Sequence, residues 1–243
     1  VAITNVGLEG AVMLAVDWIG NSVYWTNNIL HRVEQILDDG SIRRTIVHDC
    51  DRPHAIAVDS SAGYIFYSDL STSDDFASLN RVDMSGENKV SVLGPHSQFT
   101  QILSISLDTT NEEMYLLDEM SNSIVRVPYD GTRADIIYCN NVNGRCSETP
   151  LITSISFYHS IIYWSELKDR NFCQMKSLNL GSEETSPRTI GELSSKPLGL
   201  TIVAPQIGWG QCKISRPISE SIKESICIAK PTEDKHVYMS ENV

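Results

Sequence analysis

Leu14-Ala15-Val16-Asp17-Trp18-Ile19-Gly20-Asn21-Ser22-Val23-Tyr24-Trp25-Thr26-Asn27 is a phrase of which the chain holds four versions. An apolar run ends in Val16-Asp17, a few residues turn, and an aromatic strand follows. The counterparts are Val58-Asp59 with Phe66-Tyr67-Ser68-Asp69, Leu107-Asp108 with Tyr115-Leu116-Leu117-Asp118, and Ser156 with Tyr163-Trp164-Ser165-Glu166. The aromatic cores begin at 24, 66, 115 and 163, at spacings of 42, 49 and 48 residues. A strand-rich period in the forties marks stacked supersecondary units.

Each unit continues in the same way. About a dozen residues on, a run ends in a tight-turn signal: Arg32 to Gly40, Ser78 to Gly86, and Ser123 to Gly131. Asp-Gly and Ser-Gly suit such turns because Gly tolerates positive φ. A short β-branched run follows: Thr45-Ile46-Val47, Val90-Ser91-Val92, and Asp135-Ile136-Ile137. Alternation has period two, as in Ser78–Met84, and no window carries a helical stripe. The expected unit is a four-stranded antiparallel blade, and the expected fold is all-β, a propeller that leaves few free sheet edges.

These residues resemble the YWTD repeats of the low-density-lipoprotein receptor family. Leu14–Thr26 is similar to that family's LAVDW…YWTD phrase, and Arg52–Asp59 to its PRAIAVD segment. The resemblance covers about residues 1–210. It departs at Leu116-Leu117, at Ser156 where an Asp is expected, and at Glu166 in the acidic slot. It implies a ring of six blades, of which four are visible here. Lys196–Val203 then reads as one closing innermost strand, and Val1–Val6 as the outer strand of a preceding blade. The expected division is an incomplete propeller over 1–208 and a small module over 209–243, within a fragment of a longer protein.

The formal net charge of −12 disfavours nucleic acid and anionic lipid as partners, since both need basic patches, and suits a basic protein ligand. Of six cysteines, Cys139 and Cys146 flank a turn-rich loop, where a local bridge is expected. No second Cys/His pair stands at zinc spacing, so no metal and no cofactor are assigned. Cys50 and Cys173 have no evident partner. The resemblance implies an epidermal-growth-factor-like module after the propeller. Cys212 takes its first position and Cys227 its third, with both partners of the other bridge lost, so a Cys212–Cys227 bridge is expected.

The recurring residues Asp17, Tyr24, Trp25, Asp59, Phe66, Tyr67, Asp69, Asp108, Tyr115, Asp118, Tyr163 and Trp164 read as structural. The aromatics pack blade on blade. Asp17, Asp59 and Asp108 accept hydrogen bonds from turn amides. Asp69, Asp118 and Glu166 are expected to meet Arg32, Arg81, Arg126 or Lys176 on the neighbouring strand.

Loops entering the first strand and leaving the second share one edge of an antiparallel blade. Binding residues concentrate on such loops. The candidate ligand face is Asp51, Arg52, His54, Leu70, Ser71, Asp74, Asp75, Glu119, Met120, Glu148, Lys168, Asp169 and Arg170. Imidazole titrates in the endosomal range, so His54 is the candidate for the ligand release at endosomal pH that the resemblance implies.

The expected role is an extracellular, ligand-binding or ligand-releasing propeller of an endocytic or signalling receptor. Its partner is a protein, it reaches endosomes, and its membrane tether lies in parts of the protein outside this chain. No enzyme is expected. Other readings are a Ros/sevenless-like receptor kinase ectodomain, a nidogen-like matrix protein, or a calcium-dependent lactonase-like propeller.

Overall fold

The computed structural model describes residues 3, 7–70, 76–94, 99–169, 172–182, 186–193, 197–203 and 236–241. It divides into two units, Val1–Glu148 and Thr149–Val243. The described residues form strands and turns, with no helix among them.

The first unit holds three four-stranded antiparallel blades, each a simple meander. Blade one is β1 (Ala11–Asp17), β2 (Ser22–Asn27), β3 (Arg32–Leu37) and β4 (Arg43–Val47). Blade two is β5 (Pro53–Asp59), β6 (Tyr64–Leu70), β7 (Ala77–Asp83) and β8 (Val90–Leu93). Blade three is β9 (Ile102–Asp108), β10 (Glu113–Asp118), β11 (Ser123–Pro128) and β12 (Asp135–Cys139). A small hairpin follows, β13 (Asn141–Val142) with β14 (Arg145–Cys146). First strands of successive blades lie side by side, β1 against β5 and β5 against β9.

Period-two alternation fills the seams between blades. From β6, Ile65 and Tyr67 turn to blade one and pack with Tyr24, Val33 and Ile46. Phe66 turns the other way and packs with Ile105, Leu116, Val125 and Tyr129 of blade three. The Phe66 and Tyr129 rings lie 4.5 Å apart. The repeating aromatics are therefore core: Tyr24, Phe66 and Tyr67 are at most 1% exposed. Full burial of such a side chain contributes about 1.5–3 kcal/mol.

The turn glycines before the fourth strands are seated against the preceding blade. A Cβ on Gly86 (φ +91°) would strike the Ile46 carbonyl oxygen, and one on Gly131 (φ +70°) the Val92 carbonyl oxygen. Gly40 stands in the same relation to the Ile3 carbonyl, 2.8 Å from its would-be Cβ. Ile3 also packs on Val23, Trp25 and Ile36 of blade one. The remainder of Val1–Val6, except Ile3, lies outside the described residues.

The second unit holds a fourth blade of β15 (Leu151–Tyr158), β16 (Ile161–Asp169), β17 (Phe172–Asn179) and β18 (Arg188–Leu193). Beside β15 runs β19 (Pro197–Val203), where one more first strand is expected. The sequence offers no second strand for it. The structure pairs it antiparallel with β20 (His236–Glu241), from the end of the chain. A partner more than thirty residues away leaves no local signal, which is why the pairing was missed.

Candidate functional site

The site is built from the fourth position of each repeat. In blades two and three the start of the first strand opposes the end of the second, Pro53 against Asp69 and Ile102 against Asp118. The loop entering one strand and the loop leaving the other thus meet at one edge. The buried Asp69 carboxylate fixes them, accepting from Asp51 N at 3.1 Å and Arg52 N at 2.8 Å. Asp118 accepts from Thr100 N at 3.2 Å and Ser121 N at 3.0 Å. In blade one Asn27 has this task. Its amide donates to Glu9 O at 3.1 Å, while its oxygen accepts from Leu30 N at 2.9 Å.

Burial raises the Asp69 carboxyl above its ordinary range, and the Asp51 and Arg52 amides partly offset this. At the opposite edge Asp17, Asp59 and Asp108 accept from the amides two and three residues on, among them Gly20, Ala62 and Asn111. Tyr129 Oη also donates to Asp59 at 3.1 Å, tying blade three to blade two.

The expected cross-strand ion pairs form in only one blade. Lys176 reaches Glu166 at 2.6 Å. Arg81 instead lies over the Tyr64 ring, Arg126 pairs with Asp135 and Glu113, and Arg32 with Glu34. Register explains the correction. Lys176 opposes Trp164, and Glu166 is two residues along, on the same face. Arg81 opposes Phe66 and Arg126 opposes Tyr115, so Asp69 and Asp118 are three residues along, on the other face.

Asp51, Arg52, Glu119 and Met120 are exposed on the edge loops of the first unit, Met120 at 67%. Glu148 is exposed at the end of that unit. The Asp51 carbonyl accepts from His31 Nδ1, and the Glu119 amide donates to Gln101 O at 2.9 Å. Some candidates expected in loops stand on strands: His54 on β5, Leu70 ending β6, and Lys168 and Asp169 ending β16. Lys168 Nζ lies 5.8 Å from the Phe172 ring centre. Ser71, Asp74, Asp75 and Arg170 lie outside the described residues, as do Cys212 and Cys227.

His54 is half-buried rather than displayed. Burial lowers its pKa, and the Leu103 carbonyl offsets part of the effect. Its Nδ1 is buried with no partner among the described residues. Sequence reasoning missed Ile29 and Leu30, 63% and 44% exposed in the β2–β3 turn at this edge. Flanking Asn27 in a turn is their only sequence signal.

Cys139 and Cys146 form a disulfide, with Cα atoms 5.4 Å apart. Cys50 is a buried thiol in the seam between blades one and two, pushed up to about 12 chiefly by burial. Among the described residues no three His, Cys, Asp or Glu side chains converge to hold a metal ion.

No protein-family model matches the chain. A vitellogenin receptor from Solenopsis invicta is 25% identical over 164 residues, covering 68% of this chain. The chain spans about 8% of that receptor's length. In a nidogen/laminin complex, one chain superposes with a TM-score of 0.57 at 19% identity, over 75% of this chain and 68% of that one. A gluconolactonase from Xanthomonas campestris gives a TM-score of 0.56 at 12% identity, over 79% of this chain and 66% of its own. That likeness corrects the expectation that the chain is not an enzyme: the fold also houses one, so architecture gives no ground for excluding catalysis. The repeated phrase, the four meandering blades and the receptor relative agree: the described blades have the build of a β-propeller and are similar to the YWTD repeats of the low-density-lipoprotein-receptor family.

Proposed function

We propose that this chain is the protein-binding propeller of a cell-surface receptor, and that it engages its ligand at the edge fixed by Asn27, Asp69 and Asp118. The carrying observation is the Asp69 carboxylate holding the Asp51 and Arg52 amides. It presents an exposed, charged loop on a rigid base, so little conformational entropy is lost on binding. Exposed Glu9, Asp51 and Glu119 outnumber Arg52 on the edge loops of blades one to three, which favours a basic ligand.

The similarity to a vitellogenin receptor, and to nidogen in its complex with laminin, supports a protein ligand and an extracellular setting. Endocytic uptake, endosomal passage and a membrane tether elsewhere in the protein belong to the same reading. So do a propeller over 1–208 and a degenerate epidermal-growth-factor-like module over 209–243, held by Cys212–Cys227. Of the candidate face, Asp51, Arg52, Glu119 and Met120 are proposed as contacts.

Biolayer interferometry with purified vitellogenin and purified laminin tests the reading. Saturable binding of either, weakened by Asp51→Lys with Glu119→Lys, supports it; no binding of either overturns it. The gluconolactonase likeness is one of fold, and a lactone-hydrolysis assay with and without added calcium tests whether it extends to chemistry.

A further inference from the structure

The chain leaving β12 carries a structure that the junction after β4 lacks. Five residues, His48–Arg52, take the chain from β4 to β5. After β12 a hairpin is inserted, closed by the Cys139–Cys146 disulfide. Its strands pair Asn141 with Cys146 and Val142 with Arg145. Asn143 and Gly144 both have positive φ, 54° and 81°, as a two-residue hairpin turn requires. Gly144 N donates to Asn141 Oδ1 at 2.9 Å.

Two-stranded hairpins are marginal alone in water, so the base must be held. Besides the disulfide, Ser147 N donates to Asn140 O at 2.7 Å. Asn122 Nδ2 then donates to Ser147 O at 2.9 Å. Asn122 is 1% exposed and sits in the β10–β11 turn, two residues beyond Met120. The hairpin is therefore pinned to the same turn that displays Glu119 and Met120. Its tip is displayed: Val142 is 55% exposed, and Arg145, its cross-strand partner, is exposed as well. Directly opposed residues stand on one face of a hairpin, so an aliphatic and a cationic side chain are presented together. In a chain of net charge −12, Arg145 pairs with no carboxylate among the described residues.

We propose that the clamped hairpin is the recognition finger of this edge, and that it takes a protein segment presenting a carboxylate beside an aliphatic side chain. The inference rests on reading the edge as a protein-binding face and adds where the specificity lies. Arg145 meets the carboxylate, while Val142 and Met120 cover the aliphatic group. The disulfide and Asn122 fix the finger before binding, which lowers the ordering cost.

The test is selection of a phage-displayed random peptide library on the oxidised chain. Recovered peptides are then measured on wild type, Val142→Asp, Met120→Asp, Arg145→Glu and the Cys139→Ser/Cys146→Ser pair. Circular dichroism melting establishes that each variant folds, and Ile42→Asp, a substitution in the exposed β3–β4 turn, serves as a neutral control. The expected peptides carry Asp or Glu next to Leu, Ile or Val. They lose about tenfold or more in affinity on each tip substitution and on removal of the clamp, and nothing on the control. Recovery of peptides that lack a carboxylate beside an aliphatic residue, no recovery, or affinity indifferent to the tip overturns the proposal. So does Arg145-dependent capture of phosphatidylserine vesicles in place of peptides. The same variants are measured against vitellogenin and laminin. Protein binding indifferent to the tip sinks the finger but leaves the receptor reading standing. Peptide binding at the tip with neither protein bound does the reverse.

Discussion

The Thr26 hydroxyl crosses the seam between the first two blades and donates to the carbonyl of His54 at 2.5 Å. The same oxygen accepts from Met13 N at 3.3 Å. Met13 lies in a bulge of β1 between Ala11 and Leu14, where the ladder to β2 is interrupted. Blade two repeats the device: Ser68 Oγ accepts from Ala55 N at 2.9 Å, in the β5 bulge, and donates to Ile102 O of blade three at 3.0 Å. In blades one and two a single hydroxyl thus satisfies an amide freed by a bulge and straps its blade to the next. Blade three has Leu117 at this position, fully buried and without a hydroxyl.

Thr26→Val keeps the shape and removes both bonds. Leaving a buried amide and carbonyl unpaired is expected to lower unfolding free energy by about 1–3 kcal/mol. Thr26→Ser should lose less than half of that. Urea denaturation followed by tryptophan fluorescence makes the comparison, and a Thr26→Ser loss equal to or greater than the Thr26→Val loss would show that the methyl matters at least as much as the hydroxyl.

Gly86→Ala should destabilise more than Gly63→Ala. Both glycines have positive φ, 91° and 75°, so both substitutions carry backbone strain. Only at Gly86 does the new Cβ meet the backbone of the preceding blade, whereas at Gly63 nothing lies within 4 Å. The strain costs about 1–2 kcal/mol at either site. The excess at Gly86, read as a lower melting temperature, measures the blade contact.

His54 makes stability sensitive to acid. Its folded pKa lies below the ordinary 6.5 because of burial. At neutral pH both folded and unfolded chains hold it uncharged. As pH falls below about 6.5 the unfolded chain takes the proton first, and the stabilisation is lost progressively down to the folded pKa. His54→Gln should flatten the fall in urea midpoint between neutral and mildly acidic pH. An unchanged slope would assign the acid response to other groups.

Cys50 should resist alkylation. With its pKa near 12, held there mainly by burial, almost no thiolate exists at mildly alkaline pH. Iodoacetamide followed by mass spectrometry is expected to leave Cys50 unmodified in the native chain and to label it fully in guanidinium. Rapid native labelling would mean that the seam between blades one and two opens readily.

Removing the Cys139–Cys146 disulfide with paired serines should cost about 2 kcal/mol, the loop being short. Trypsin should then cut after Arg145 faster than in the oxidised chain, since cleavage needs an extended, mobile backbone. Equal cleavage rates would mean that Asn122 and Asn140 alone hold the hairpin.

Much of the architecture was legible because it is periodic. The aromatic cores, the Val-Asp turns and the Asp-Gly and Ser-Gly turns recur at one phase, and each became an equivalent structural position. The candidate edge was legible as a position, because strand direction alone places those loops. Individual side chains were not. His54 looked like a loop residue until β5 included it, and the Arg81 and Arg126 pairings failed because an offset of three changes faces where an offset of two does not. Ile29 and Leu30 offered only their place in a turn beside Asn27, since exposure depends on what packs nearby.

By itself, the sequence determined the repeating unit: alternation, turn residues and capping carboxylates are local, acting over a handful of neighbouring residues. Tertiary structure decided the hydroxyl straps from Thr26 and Ser68, the seating of Gly86 on Ile46, the pinning of the clamped hairpin by Asn122, and the pairing of β20 with β19. Each of these joins groups far apart along the chain, and only packing of the blades sets their distance.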